Sequence, residues 1–189
     1  TVKAVERSLK HLNWDHIDLY LLHWAGPFPL EETFEAFERL SDEGKIGHYG
    51  VSNFDADSMA DAFTTPGGEG VCVDQVLYNL AQRAAEGELM AWCETNDVAL
   101  MAYSPLDQGS LLQDAVLKHI ADLHGVTAAA VAVAWTMRFP NVVSIPKATA
   151  PEHVRACAAA RDVAFTEEDL NAIDRAFPPP KPGAMLAVY

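Results

Sequence analysis

The chain has 189 residues, 50% of them hydrophobic and 21% charged, with a formal net charge of −14. That acidity argues against a nucleic-acid binder, which needs Lys and Arg to displace counterions from phosphates, and it disfavours anionic membrane surfaces for the same reason. No run of about 18 apolar residues occurs, so no helix is long and apolar enough to cross a membrane. Cys72, Cys93 and Cys157 are too far apart for a disulfide frame or a zinc spacing, which makes reduced thiols and a cytoplasmic location the expectation.

In chain order, Val5, Leu9 and Leu12 fall at helical spacing, so residues 2–12 read as a helix. This helix is already under way at the first residue and lacks an initiator methionine, so a preceding segment is expected. "IDLYLLHW" (17–24) is short, apolar and follows a polar turn, as a buried strand does. Leu30, Phe34, Phe37 and Leu40 form the next helical stripe, closed at Gly44. "IGHYGVSN" (46–53) is a second strand, and Asp55 is placed to cap the helix after it. "VCVDQVLYN" (71–79) and "DVALMAYSPL" (97–106) are further strands, separated by the helix "EGELMAWCETN".

Leu112, Val116, Ile120 and Leu123 then mark a helix ending at Gly125, and Thr127 opens another that Pro140 stops. His119 and His124, five apart, read as surface residues. "NVVSIP" (141–146) is a fifth strand. The Thr-x-x-Glu spacing of "TAPE" (149–152) predicts a capping box, and Thr166 to Asp169 opens the last helix, with an exposed tail beyond. Strand alternating with helix predicts an α/β fold with a parallel sheet, in a single domain over 1–189.

Polar residues gather at the carboxyl ends of these strands: His23, then Ser52 and Asn53, Gln75, Tyr103 and Ser104, and Lys147. That rim is where parallel α/β sheets build their sites. Singly, each residue also has a plainer reading. His23 could be a satisfied core histidine, Ser52 and Asn53 strand-end caps, Tyr103 a core tyrosine and Lys147 a solvated cation.

Taken together and in order, "IDLYLLHW", "GVSNF", "DQVLYN", "AYSPL" and "IPKAT" resemble the aldo-keto reductases. "QVLYNL", "AWC", "AYSPLDQG" and "AFPPPK" are similar to small bacterial members that reduce aldehydes such as methylglyoxal. The resemblance implies a (β/α)8 TIM barrel, of which this chain carries the last five strands and their helices. It implies NADPH as cofactor, with NADH the alternative, a small carbonyl compound as substrate, and no metal. His23 resembles the histidine that orients the substrate carbonyl, and Trp24 falls at the substrate pocket. Ser52, Asn53 and Gln75 match the residues that grip the nicotinamide carboxamide, with donors and acceptors suited to an amide. Tyr103 matches the ring stacked on the nicotinamide. Ser104 and Leu106 belong to the loop over the pyrophosphate, and Lys147, Thr149 and His153 to the adenosine-phosphate end.

Two departures qualify the match. The family's "EN" pair after His153 is Ala156 and Cys157 here, which predicts weaker cofactor binding or a shifted NADPH/NADH balance. The family's acid tyrosine, with its lysine and aspartate, has no counterpart, so the chain is expected to be a piece of a longer protein and inactive by itself. The alternative is a non-catalytic half-barrel that binds a nucleotide or serves as a regulatory or assembly subunit. A complete barrel would be monomeric, whereas a truncated one would expose edges that favour a dimer.

Overall fold

Apolar spacing and capping residues dictate where each element of the chain begins and stops. The computed structural model describes residues 1–188. Val5 and Leu9 bury one face of α1 (Val2–Leu12), which Asn13 closes in the left-handed region at φ 53°. β1 (Ile17–Leu22) leads to α2 (Leu30–Asp42), whose Phe34, Phe37 and Leu40 are buried while Glu31 and Glu32 occupy the first turn, where the helix dipole favours anions. Gly44 follows at φ 71°, a conformation that glycine adopts without steric penalty. β2 (Ile46–Ser52) precedes α3 (Ala56–Thr64), which begins where the Asp55 carboxylate accepts the Ser58 N–H. β3 (Val71–Leu77), α4 (Glu88–Thr95) and β4 (Ala99–Tyr103) come next.

Asp114 caps α5 (Ala115–His124), and Gly125 at φ 65° ends it. Thr127 caps α6 (Ala128–Thr136), a helix buried from Ala130 to Thr136. After β5 (Val142–Ser144) and α7 (Pro151–Ala158), α8 (Glu167–Ala176) opens on a complete capping box between Thr166 and Asp169.

The five strands form one parallel sheet in sequential order, β1-β2-β3-β4-β5, with β1 and β5 at its edges. Register separates its two faces, because side chains alternate along a strand and directly paired residues share a side. Tyr20 pairs with Tyr49, Leu22 with Val51, Val51 with Asp74, Asp74 with Leu100, and Leu100 with Val142. That face lies under the helices: Tyr20 meets Phe37 edge to face at 6.2 Å, and Tyr49 stacks on Phe37 at 5.2 Å. Full burial of a ring such as Phe37 contributes about 2–3 kcal/mol. The opposite face carries Leu21, Gly50, Ser52, Gln75, Met101 and Val143, by the same pairing. A Cβ on Gly50 would strike the Val73 and Leu21 side chains on that face, so the close strand approach there requires glycine. Val143, 49% exposed, marks how open this face is at its edge.

Several expectations need correction. The sequence pattern overshoots the ends of all five strands: the segments at 17–24, 46–53, 71–79, 97–106 and 141–146 leave the ladder after Leu22, Ser52, Leu77, Tyr103 and Ser144. The capping box at Thr149 does not form. Pro151 sits at the first helical position, and the residue before a proline is held extended, so Ala150 (φ −95°, ψ 140°) becomes the N-cap with no side-chain bond. Leu112 lies in a 3-10 segment, Asp107–Gln113, and Leu123 is 66% exposed; α5 instead buries Leu117, Ile120 and Ala121. α6 stops at Thr136, four residues before Pro140. His124 is a half-buried helix clamp and not a surface residue, with its Nε2 2.9 Å from Asp169 Oδ2. The tail is largely exposed, but Leu186 packs back on the core.

Candidate active site

Hydrogen bonds tie the carboxyl ends of β2, β3 and β4 into one unit. Ser52 Oγ and the Asn53 N–H both donate to the Gln75 carbonyl, at 2.7 and 2.9 Å. Asn53 takes the left-handed conformation (φ 65°), which asparagine tolerates better than most residues, and this turns its side chain back over the strands. Its Nδ2 donates to Ser52 Oγ at 3.1 Å and, more weakly, to the His23 carbonyl at 3.4 Å. Its Oδ1 accepts from the Tyr103 hydroxyl at 3.1 Å. Gln75 Nε2 reaches the Met101 sulfur at 3.1 Å, which fixes the amide on the open face of the sheet.

Beyond β1, His23 is exposed and stacks on Trp24, with ring centroids 5.8 Å apart and planes 18° from parallel. Tyr20, three residues earlier, is on the helix side, with its hydroxyl 3.3 Å from Ser8 Oγ. The phenol is therefore on the helix side of β1, while His23 follows the strand's last residue, with its carbonyl facing Asn53.

The second half of the site is a cleft of about 480 Å³ between the loop after β4 and the start of α7. Ser104, Leu106, Gln108 and Gly109 form one wall, and Lys147, His153, Ala156 and Cys157 the other. Ser104 (φ 49°), Asp107 (φ 46°), Gln108 (φ 54°) and Gly109 (φ 96°) are all left-handed, so the loop curls tightly around the opening. Lys147 and His153 supply the basic character of the lining. Ala156 and Cys157 make the far end apolar, and burial holds the Cys157 thiol above its ordinary range.

Most residues chosen from sequence thus fall into two adjoining groups. Ser52, Asn53, Gln75 and Tyr103 are bonded together; Ser104, Leu106, Lys147 and His153 share the cleft. Thr149 is exposed and outside the cleft lining, and Trp24 stacks on His23 away from both groups. One contributor went unread: Asn79, the last residue of "DQVLYN". Its Nδ2 donates to the Ser104 carbonyl at 2.9 Å while its Oδ1 accepts from the Ala81 and Gln82 N–H groups, so it pins the β3 end to the β4 loop. The signal was a fully polar side chain closing an apolar run, and it is completely buried.

This arrangement can grip a planar amide at the strand ends and an anion beside Lys147, while leaving an imidazole free to face a small ligand. Residues 1–177 match the aldo/keto reductase family, and the chain belongs to that family. It is 43% identical over 185 residues to methylglyoxal reductase YeaE of Escherichia coli (strain K12), covering 95% of this chain and 65% of that protein. It is 36% identical over 178 residues to glyoxal reductase of Bacillus subtilis (strain 168), covering 92% of this chain and 62% of that protein. An aldo-keto reductase from Klebsiella pneumoniae, solved in complex with NADPH, superposes with a TM-score of 0.96 at 42% identity, covering 98% of this chain and 67% of that one. The chain therefore spans a little under two thirds of the length of the two relatives. Its five-stranded parallel sheet is part of the family's (β/α)8 barrel.

Proposed function

We propose that the protein is an NADPH-dependent oxidoreductase that reduces small aldehydes or ketones to alcohols. The observation that carries this reading is the continuity of the two halves of the site. Tyr103, hydrogen-bonded to Asn53, is followed directly by Ser104, which lines the cleft holding Lys147 and His153. The residues fit the cofactor in kind. Ser52, Asn53 and Gln75 offer the donors and acceptors that a carboxamide needs. The Tyr103 ring offers a flat face, and Lys147 a cation for a phosphate. When bound, the reduced nicotinamide supplies a hydride for the carbonyl carbon.

The chain's own residues then have separable tasks. Ser52, Asn53 and Gln75 fix the orientation of the ring and Tyr103 covers one face, so that one side is offered. His23 donates a hydrogen bond to the carbonyl oxygen, orienting it and stabilising the negative charge that grows there. Trp24, stacked on the imidazole, holds that ring and lines the approach. Tyr20 cannot supply the proton, because it lies on the helix side of the sheet. The proposal assigns proton donation to the part of the barrel that corresponds to the relatives' unmatched length. The whole forms one barrel domain. Ala156 and Cys157 at the adenosine end bring few hydrogen-bonding groups, which narrows the preference for NADPH over NADH.

A titration of the full-length protein with NADPH, read by quenching of tryptophan fluorescence, tests this together with methylglyoxal turnover. Saturable binding that weakens at least tenfold in Lys147→Ala, with a smaller effect on NADH, is the expected result. Equal NADPH affinity in wild type and Lys147→Ala would overturn the assignment of the cleft.

A further inference from the structure

The motif that places Gln75 also carries Asp74, a carboxyl group with no task in the reduction. Asp74 lies on the helix side of β3, fully buried, paired across the sheet with Val51 and Leu100. Its Oδ1 faces the Phe54 N–H at 3.5 Å, while its Oδ2 is sealed in with no hydrogen-bond partner among the described residues. Phe54 directly follows the left-handed Asn53. Asp74 and Gln75 therefore back three consecutive residues: the Gln75 backbone carbonyl takes Ser52 Oγ and the Asn53 N–H, and the Asp74 side-chain carboxyl takes the Phe54 N–H.

We propose that Asp74 is a positioning residue whose neutral carboxyl group holds the Ser52–Asn53–Phe54 turn from behind, and that loss of its proton loosens the cofactor grip. The inference rests on the reading of Ser52, Asn53 and Gln75 as that grip. The groups with which the carboxyl interacts are the Phe54 N–H, the Asp55 carboxylate at the start of α3 and the Cys93 thiol of α4. None of these is a cation. Burial outweighs the opposing Phe54 N–H and, with a smaller push from Asp55, raises the Asp74 carboxyl to about 8, while burial and the nearby Asp74 raise the Cys93 thiol to about 12. Near neutral pH the group is thus an acid that behaves like an amide: one oxygen accepts and the other carries the proton.

An ionised carboxylate would accept from Phe54 more strongly. One long N–H bond, however, does not offset a charge sealed between sheet and helices. The layer between β3, α3 and α4 must admit water, and the peptide after Asn53 moves with it. The sign follows from the raised value. The stability associated with Asp74 is fully present below the ordinary Asp range, declines as pH rises, and is lost once pH passes about 8.

The test compares full-length wild type, Asp74→Asn and Asp74→Val by NADPH titration from about pH 7 to about pH 9.5. Asparagine copies the neutral acid in shape, so its affinity at neutral pH should match wild type and stay level as pH rises. Wild type should weaken by about tenfold over the same range, the size of one disturbed buried hydrogen bond. Asp74→Val should be weak at every pH. A protonated-carboxyl infrared band that disappears with the same midpoint in wild type, and is missing in Asp74→Asn, would assign the transition to this group. Parallel pH profiles for wild type and Asp74→Asn, or neutral-pH affinity lost in Asp74→Asn, would overturn the inference alone. Wild type that fails to bind NADPH even at neutral pH would overturn the cofactor reading as well.

Discussion

Replacing Asn53 by alanine removes two unlike supports of the site at once. The side chain gives up its bonds to Ser52 Oγ and from the Tyr103 hydroxyl, both 3.1 Å, and the weaker one to the His23 carbonyl at 3.4 Å. Two sound bonds at a net value of about 1 kcal/mol each give about 2 kcal/mol. The backbone adds a second contribution, because φ at this residue is 65° and a left-handed alanine costs roughly 1 kcal/mol. Asn53→Ala should therefore lose about 3 kcal/mol. Asn53→Gly should lose about 2 kcal/mol, since glycine takes this φ freely and forfeits only the bonds. Urea unfolding with the slope held common across variants measures the order wild type, then glycine, then alanine. An alanine variant within about 0.5 kcal/mol of wild type, or more stable than the glycine variant, would refute the claim that this side chain ties the strand ends together.

Other expectations concern the support behind the site. Glu86 accepts from Arg83, Arg138 and Tyr78 inside a nearly closed cluster against Trp135, and although burial alone would raise its carboxyl, the two guanidinium groups hold it low. Glu86→Gln leaves two poorly solvated cations underpaired and should cost about 3 kcal/mol in urea unfolding; no measurable loss would contradict the cluster's role. Asp169 is also held low, since the Thr166 N–H, His124 and the Thr166 hydroxyl outweigh burial. Its stabilisation is present above the ordinary Asp range and lost as pH falls through the lowered value. Thermal unfolding between about pH 6 and pH 3 should therefore be shallower in Asp169→Asn than in wild type; identical acid limbs would count against it. Gly68→Ala puts a Cβ 1.8 Å from the Ala62 carbonyl and should lower Tm by several degrees, as seen by calorimetry.

What could be read from sequence was local or periodic. The amphipathic stripe of Val5 and Leu9 placed α1 at its observed bounds, and Asp55, Thr127 and Thr166 were recognisable as caps because their partners lie three residues away. The strand-end residues were visible because a polar side chain at the end of an apolar run needs a reason to be there. Thr149 had the right spacing for a cap, but Pro151 moved the helix start by one residue. His124 was misread because its partner, Asp169, is 45 residues away in sequence. Arg83, Glu86 and Arg138 carry no periodic signature, so only the tertiary structure reveals that they meet. Asp74 is similar: nothing in "VCVDQV" separates a carboxyl under the helices from one in water, since register alone decides the face.

A crystal structure of the full-length protein with NADPH tests the central claim most directly. The account predicts the carboxamide on Ser52, Asn53 and Gln75, the nicotinamide against the Tyr103 ring, and the adenosine phosphate beside Lys147. A cofactor bound away from these strand ends, or bound with its phosphate remote from Lys147, would contradict it.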